Sequence, residues 1–159
     1  MATITAALNV NSDISSYGLT ISNTMTMTKA GTNNGLERTS GLQRKHLTTL
    51  NEVDLLQGAA GTVADMTVSV TSSAAKVYIK YIETDISKYV TVSLGNASTG
   101  TTRTANDSNG AHMELGRLYG GEWMIIPWDG TSAKGDIAVQ PSVATTADEA
   151  IVEYMVFFD

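Results

Sequence analysis

Hydrophobic and polar residues alternate along much of this chain with a period of two. Leu19, Ile21, Met25 and Met27 share one parity, and Thr20, Ser22, Thr24, Thr26 and Thr28 share the other. Successive side chains of a strand point to opposite faces, so the pattern predicts a strand over about Leu19 to Lys29, with one apolar face and one lined by small hydroxyls. The same alternation sets Met66, Val68 and Val70 against Thr67, Ser69 and Thr71, and Val90, Val92 and Leu94 against Tyr89, Thr91 and Ser93. Thr3 to Val10 is β-prone, and the polar cluster Asn11 to Ser16 marks a turn after it. Gly31-Thr32-Asn33-Asn34-Gly35 ends the Thr/Met strand, because Asn-Gly tolerates positive φ.

Leu36 to Leu56 is harder to read. Its positive charges cluster at Arg38, Arg44 and Lys45, while Leu47, Leu50 and Leu55 fit neither a helical nor a strand period. The expectation is an irregular N-terminal arm with room for a short strand or a turn of helix. Gln57-Gly58-Ala59-Ala60-Gly61 is a small, flexible joint that divides strands and arm (1–60) from a sandwich core (61–159), within one domain overall. Beyond it the predicted strands are Asp65 to Thr71, Lys76 to Glu83, Lys88 to Leu94, His112 to Leu118, Trp123 to Trp128, Asp136 to Val139 and Ile151 to Phe158. Turn groups at Ser72-Ser73, Thr84-Asp85, Gly120-Gly121, Asp129-Gly130 and Thr145-Thr146 separate most of them. Short strands at such spacing predict an all-β fold, a β-sandwich of jelly-roll or Greek-key type, with almost no helix. Gly95 to Ala111 is a long polar connection, of the kind that a partner holds or that stays disordered. The last strand is apolar on both parities, which suits either a central position in the sandwich or burial at a subunit interface.

Composition narrows the function classes. Only 16% of the 159 residues are charged, against about 25% in an average domain, and Thr, Ser, Asn and Gly fill the polar positions. Thr suits strands for its own sake, and a Thr-rich face also loses little rotamer entropy when a partner covers it. A net charge of −6 removes the phosphate-neutralising term, so nucleic acid is not an expected partner. The absence of cysteine excludes disulfides, zinc–thiolate sites and thiol nucleophiles. Met1-Ala2-Thr3-Ile4-Thr5 lacks a basic n-region and an apolar h-region, and no apolar run approaches the roughly 20 residues of a membrane span, so neither secretion by the usual route nor a membrane is expected. Without a leader, Asn96-Ala97-Ser98 and Asn106-Asp107-Ser108 read as chance glycosylation patterns.

Candidate chemistry is sparse. His46 and His112 stand alone, with no carboxylate at metal-ligand spacing, and no nucleophile elbow, phosphate loop or zinc-protease motif occurs. Asp107-Ser108-Asn109-Gly110 begins like a calcium loop, but its terminal Glu is out of register, so a turn is expected. Glu122 and Asp129 flank the Trp-bearing strand and form the one imaginable glycosidase pair; both sit where hairpin ends place solvated acids. Neither catalysis nor a cofactor is expected. Tyr119, Trp123 and Trp128 suggest a glycan-stacking platform, although Trp123 and Trp128, five apart in a strand, face opposite ways, so one of them belongs to the core.

The part from Asp65 to Asp159 carries Val77-Tyr78-Ile79-Lys80, Val90-Thr91-Val92, Leu118-Tyr119-Gly120-Gly121-Glu122-Trp123, Ile126-Pro127-Trp128, Asp136-Ile137-Ala138-Val139 and Val152-Glu153-Tyr154-Met155-Val156-Phe157. In these it resembles the small β-rich virion proteins of tailed bacteriophages, including head decoration (cement) proteins and head or tail accessory proteins. The resemblance implies a non-catalytic protein on the capsid exterior that forms a homo-oligomer, often a trimer, and clamps neighbouring major capsid protein subunits. On that expectation the arm with Arg38, Arg44, Lys45 and His46 orders on contact with a neighbour, and Tyr154, Phe157 and Phe158 of the last strand supply a second contact. The competing expectation is a tail- or fibre-associated receptor- or glycan-binding module with Tyr119, Trp123 and Trp128 as its surface.

Overall fold

The computed structural model describes residues 4–12, 19–28, 35–57, 62–63, 75–95, 113–131, 136–143 and 150–158. Among them are twelve strands: β1 (Ile4–Ser12), β2 (Leu19–Met27), β3 (Arg38–Thr39), β4 (Gln43–Leu47), β5 (Val53–Gln57), β6 (Thr62–Val63), β7 (Ala75–Tyr81), β8 (Tyr89–Leu94), β9 (Met113–Tyr119), β10 (Trp123–Trp128), β11 (Ile137–Pro141) and β12 (Ala150–Phe158). The expected strand at Asp65 to Thr71, most of the polar connection, His112, both glycosylation patterns and the calcium-like turn lie outside the described residues.

β3 to β12 build a β-sandwich. One sheet runs β10-β7-β12, with β3 and β4 both lying along the far edge of β12; the other runs β6-β5-β11-β8-β9. All pairings are antiparallel. The chain passes from one sheet to the other between β4 and β5, β6 and β7, β7 and β8, and at each link from β9 to β12. Alternation explains the core. Ala75, Val77, Ile79 and Tyr81 of β7 and Ala150, Val152, Tyr154, Val156 and Phe158 of β12 point inward. They meet Val90, Val92, Leu118, Ile137 and Val139 from the opposite sheet. Trp128 lies opposite Ala75, so the bulk of one residue fills the space left by the other. The doubly apolar last strand is thereby explained as a central one, flanked on both edges.

The stretch expected to be an irregular arm is regular. β3 and β4 act as one interrupted edge strand. Between them Ser40 keeps hold of β12, donating its backbone N–H to the Val156 carbonyl (2.9 Å) and accepting the Val156 N–H on its hydroxyl (2.9 Å). Gly41, at φ 75°, makes the break. β5 lies inside the second sheet, and Leu36, Leu47, Leu55 and Leu56 are buried. A segment that places leucines in the core cannot serve as a mobile clamp.

β1 and β2 form a separate two-stranded ribbon, paired without a break from Ile4↔Met27 to Ser12↔Leu19. At its root the Leu36 N–H donates to the Met27 carbonyl (2.8 Å), and Met27 and Leu36 are buried.

Candidate functional site

Once the inner residues of β7 and β12 are fixed by the core, their neighbours must face out. Lys76, Tyr78 and Lys80 of β7 and Ile151, Glu153, Met155 and Phe157 of β12 therefore form the outer surface of that sheet, all half-buried. The register sets them in rows. Trp123, Lys80, Glu153 and Arg44 cross the sheet in one row; Ile125, Tyr78 and Met155 form the next, and Pro127, Lys76, Phe157 and Thr39 a third. His46 lies opposite Ile151.

The chemistry of this face is aromatic and basic. Arg44 Nε meets Glu153 Oε2 at 3.1 Å, with the guanidinium end exposed and the carboxylate largely covered. Trp123, 49% exposed, leans on Tyr78 with ring centroids 6.2 Å apart and planes tilted by 39°. Burial, and after it the Glu153 charge, raises the Tyr78 hydroxyl pKa, so Tyr78 stays a neutral donor at physiological pH. Lys76, Lys80 and Arg44 stand against one carboxylate, Glu153, in these rows, within a chain of net charge −6. A twisted sheet surface of this kind suits a broad partner; small-molecule sites are concave.

The expected contact residues separate. Arg44, His46 and Phe157 come together on this face with Trp123, which had been assigned to a different surface. Arg38 instead covers the end of the core, its guanidinium 5.0 Å from the centre of the Phe158 ring. Lys45 pairs with Val152, an inward position, and is half-buried. Tyr154 and Phe158 are 1% and 3% exposed; they pack between the sheets and offer nothing to a partner.

The Tyr119, Trp123 and Trp128 platform also comes apart. Trp128 is core. Leu118 points inward, so Tyr119 faces outward on the opposite sheet, where it packs on Tyr89 at 5.5 Å, and Arg117 lies 4.5 Å from the centre of the Tyr89 ring. Trp123 and Tyr119 thus look away from each other across the sandwich. Glu122 serves its turn, accepting the Tyr119 N–H at 2.9 Å, and Asp129 accepts both the N–H (2.9 Å) and the hydroxyl (2.6 Å) of Thr131. The two acids bracket the extended β10, which separates them by about 20 Å, well beyond the roughly 5–9.5 Å of a glycosidase pair.

Lys76, Tyr78, Lys80 and Glu153 were not singled out from the sequence. Their signal was present as the second parity of β7 and β12, but only the register shows that these two parities share a face. No protein-family model matches this chain, and no curated protein does.

Proposed function

We propose that this protein is a non-catalytic structural component of a virion, a capsid decoration (cement) protein that binds the major capsid shell from outside as a homo-oligomer. The observation that carries the reading is the outer face of the β10-β7-β12 sheet. There Trp123, Tyr78, Ile125, Met155 and Phe157 lie among Lys76, Lys80 and Arg44, a mixture of apolar and cationic groups on a broad surface. Exposed aromatic and arginine side chains are the residues that carry most binding energy at protein interfaces. The resemblance of the part from Asp65 to Asp159 to small β-rich virion proteins of tailed bacteriophages, head decoration proteins among them, supports a virion role. Binding only the assembled shell would stabilise it by mass action, and repetition by symmetry multiplies weak contacts.

Quantitative mass spectrometry of purified particles tests this. A copy number comparable with that of the major shell protein is expected; absence from the particles would overturn the reading, and a handful of copies would move the protein to the tail. A second reading, a tail- or fibre-associated glycan-binding module, is favoured by the exposed Trp123–Tyr78 pair, because sugars stack on such rings. It requires glycan binding that Trp123→Ala abolishes while folding is kept.

A further inference from the structure

The β1–β2 ribbon carries an apolar face that is open to solvent. Its register puts Ile4, Ala6, Leu8 and Val10 on the same side as Met27, Met25 and Ile21, with Asn23, opposite Leu8, the one polar residue among them. Leu8, Val10, Ile21 and Met25 are 47%, 38%, 44% and 46% exposed, although their alternation is that of a strand packed on a core. The opposite side holds Thr5, Ala7, Asn9 and Asn11 with Thr26, Thr24, Ser22 and Thr20, and there Ser22 donates its hydroxyl to Asn9 Oδ1 at 2.7 Å. One side is polar apart from Ala7, and the other is apolar apart from Asn23 and the terminal Ser12.

We infer that the apolar face of the ribbon is the self-association surface of this protein, packed in the assembly against the ribbon of a second copy. Three observations select that occupant. A two-stranded ribbon is only marginally stable alone, and one paired over nine residues per strand gains stability when its apolar face is covered. The cover must be an apolar strip about 30 Å long and two strands wide, which is the shape and pattern that another copy's ribbon presents. Neither strand contains a charged residue, in a chain of net charge −6. Two copies meeting ribbon to ribbon therefore bring no like charges together. Contact of the same patch on both copies is the usual geometry of a closed symmetric oligomer. The inference rests on the oligomeric part of the reading above and gives it a location.

The chain has no cysteine, so single introduced cysteines report the contact cleanly. With a bismaleimide linker spanning about 10 Å, the distance between stacked sheets, Leu8→Cys is expected to give covalent dimers at dilutions where Thr24→Cys, on the polar side, gives none. In sedimentation velocity the unmodified protein is expected to gain mass with concentration, and the Leu8→Glu/Ile21→Glu variant to remain monomeric with the thermal transition of the sandwich retained. Equal cross-linking of the two cysteine variants, a monomeric unmodified protein, or a double-Glu variant that associates like the unmodified protein would each overturn the inference. If the double-Glu variant does not fold, the cysteine comparison decides. Particle occupancy is read separately: ribbon-mediated oligomers absent from particles would sink the decoration reading alone, and monomers present on particles would sink this inference alone.

Discussion

Trp128 and Trp123 share a strand and a residue type but not an environment. Trp128 fills the space above Ala75 inside the sandwich, 4% exposed, while Trp123 leans on Tyr78 at the surface. Trp128→Ala is therefore expected to lower unfolding free energy by about 3–5 kcal/mol, the usual result of emptying a large core site. Trp123→Ala should cost about 0.5–1.5 kcal/mol, the worth of an aromatic pair. Urea unfolding followed by circular dichroism checks both, and a cost for Trp123→Ala as large as that for Trp128→Ala would show that the face is covered within the chain. Gly120 is constrained differently. An added Cβ would lie 2.6 Å from the Asp85 carbonyl oxygen and 3.0 Å from that of Glu83, both backbone atoms that cannot swing away. Gly120→Ala is expected to destabilise by about 1–3 kcal/mol in the same assay, as overpacking does.

The turns at Gly120 and Glu83 are parts of one element-scale joint. Tyr81 donates its N–H to the Glu122 carbonyl, Gly121 donates to the Tyr81 carbonyl, and Gly120 to the Lys88 carbonyl, so the β7–β8 and β9–β10 connections hold each other. Within the first connection Glu83 Oε1 accepts the N–H groups of Asp85 (3.2 Å) and Thr84 (2.8 Å), and Asp85 Oδ1 accepts the hydroxyl (2.6 Å) and N–H (2.9 Å) of Ser87. These bonds favour the charged forms and hold both carboxyls below their ordinary values of 4.5 and 3.8. Their stabilising effect is complete above those values and fades as pH falls through the lower values of the folded state. On acidification from about pH 5 to pH 3 the Glu83→Gln variant is expected to lose less stability than the unmodified protein; equal losses in urea titrations would show that the turn does not depend on this carboxylate. At this scale the sequence was uneven as a guide. β2 and β8 were legible because alternation is local and nearly uninterrupted, and β10 and β12 because each is a short apolar run next to turn residues. β3 to β5 were not. Leu55 and Leu56 are adjacent yet both buried, at the place where the β5–β11 register shifts, so no period runs through them. β3 and β4 are short pieces along a strand more than a hundred residues later, a partner that no local pattern announces.

For the whole molecule, net charge was legible and its distribution was not. Composition shows a net charge of −6 and few charges overall, but antiparallel register gathers Lys76, Lys80 and Arg44 from β7 and β4 on one sheet face, in rows that hold one carboxylate, Glu153. The same non-local pairing moved Arg44, His46 and Phe157 from a supposed arm and tail onto one surface, and took Tyr154 and Phe158 out of it. Under the proposal that the protein binds a shell through this face, the cationic patch makes a specific demand: the contact must weaken with salt, since exposed charges are screened over about 10 Å at 0.1 M. Removing two of the charges, Arg44→Gln with Lys80→Gln, is expected to lower occupancy on shells stripped of this protein and to flatten the salt dependence. Stability should change little, because the Arg44 guanidinium stands in solvent and a pair so screened contributes only about 0–1 kcal/mol. Co-sedimentation with stripped shells across a salt series measures both quantities at once. Lower occupancy at every salt concentration with an unchanged slope would assign the contact to the apolar residues of the face, whereas unchanged occupancy and slope together would remove this sheet from the interface.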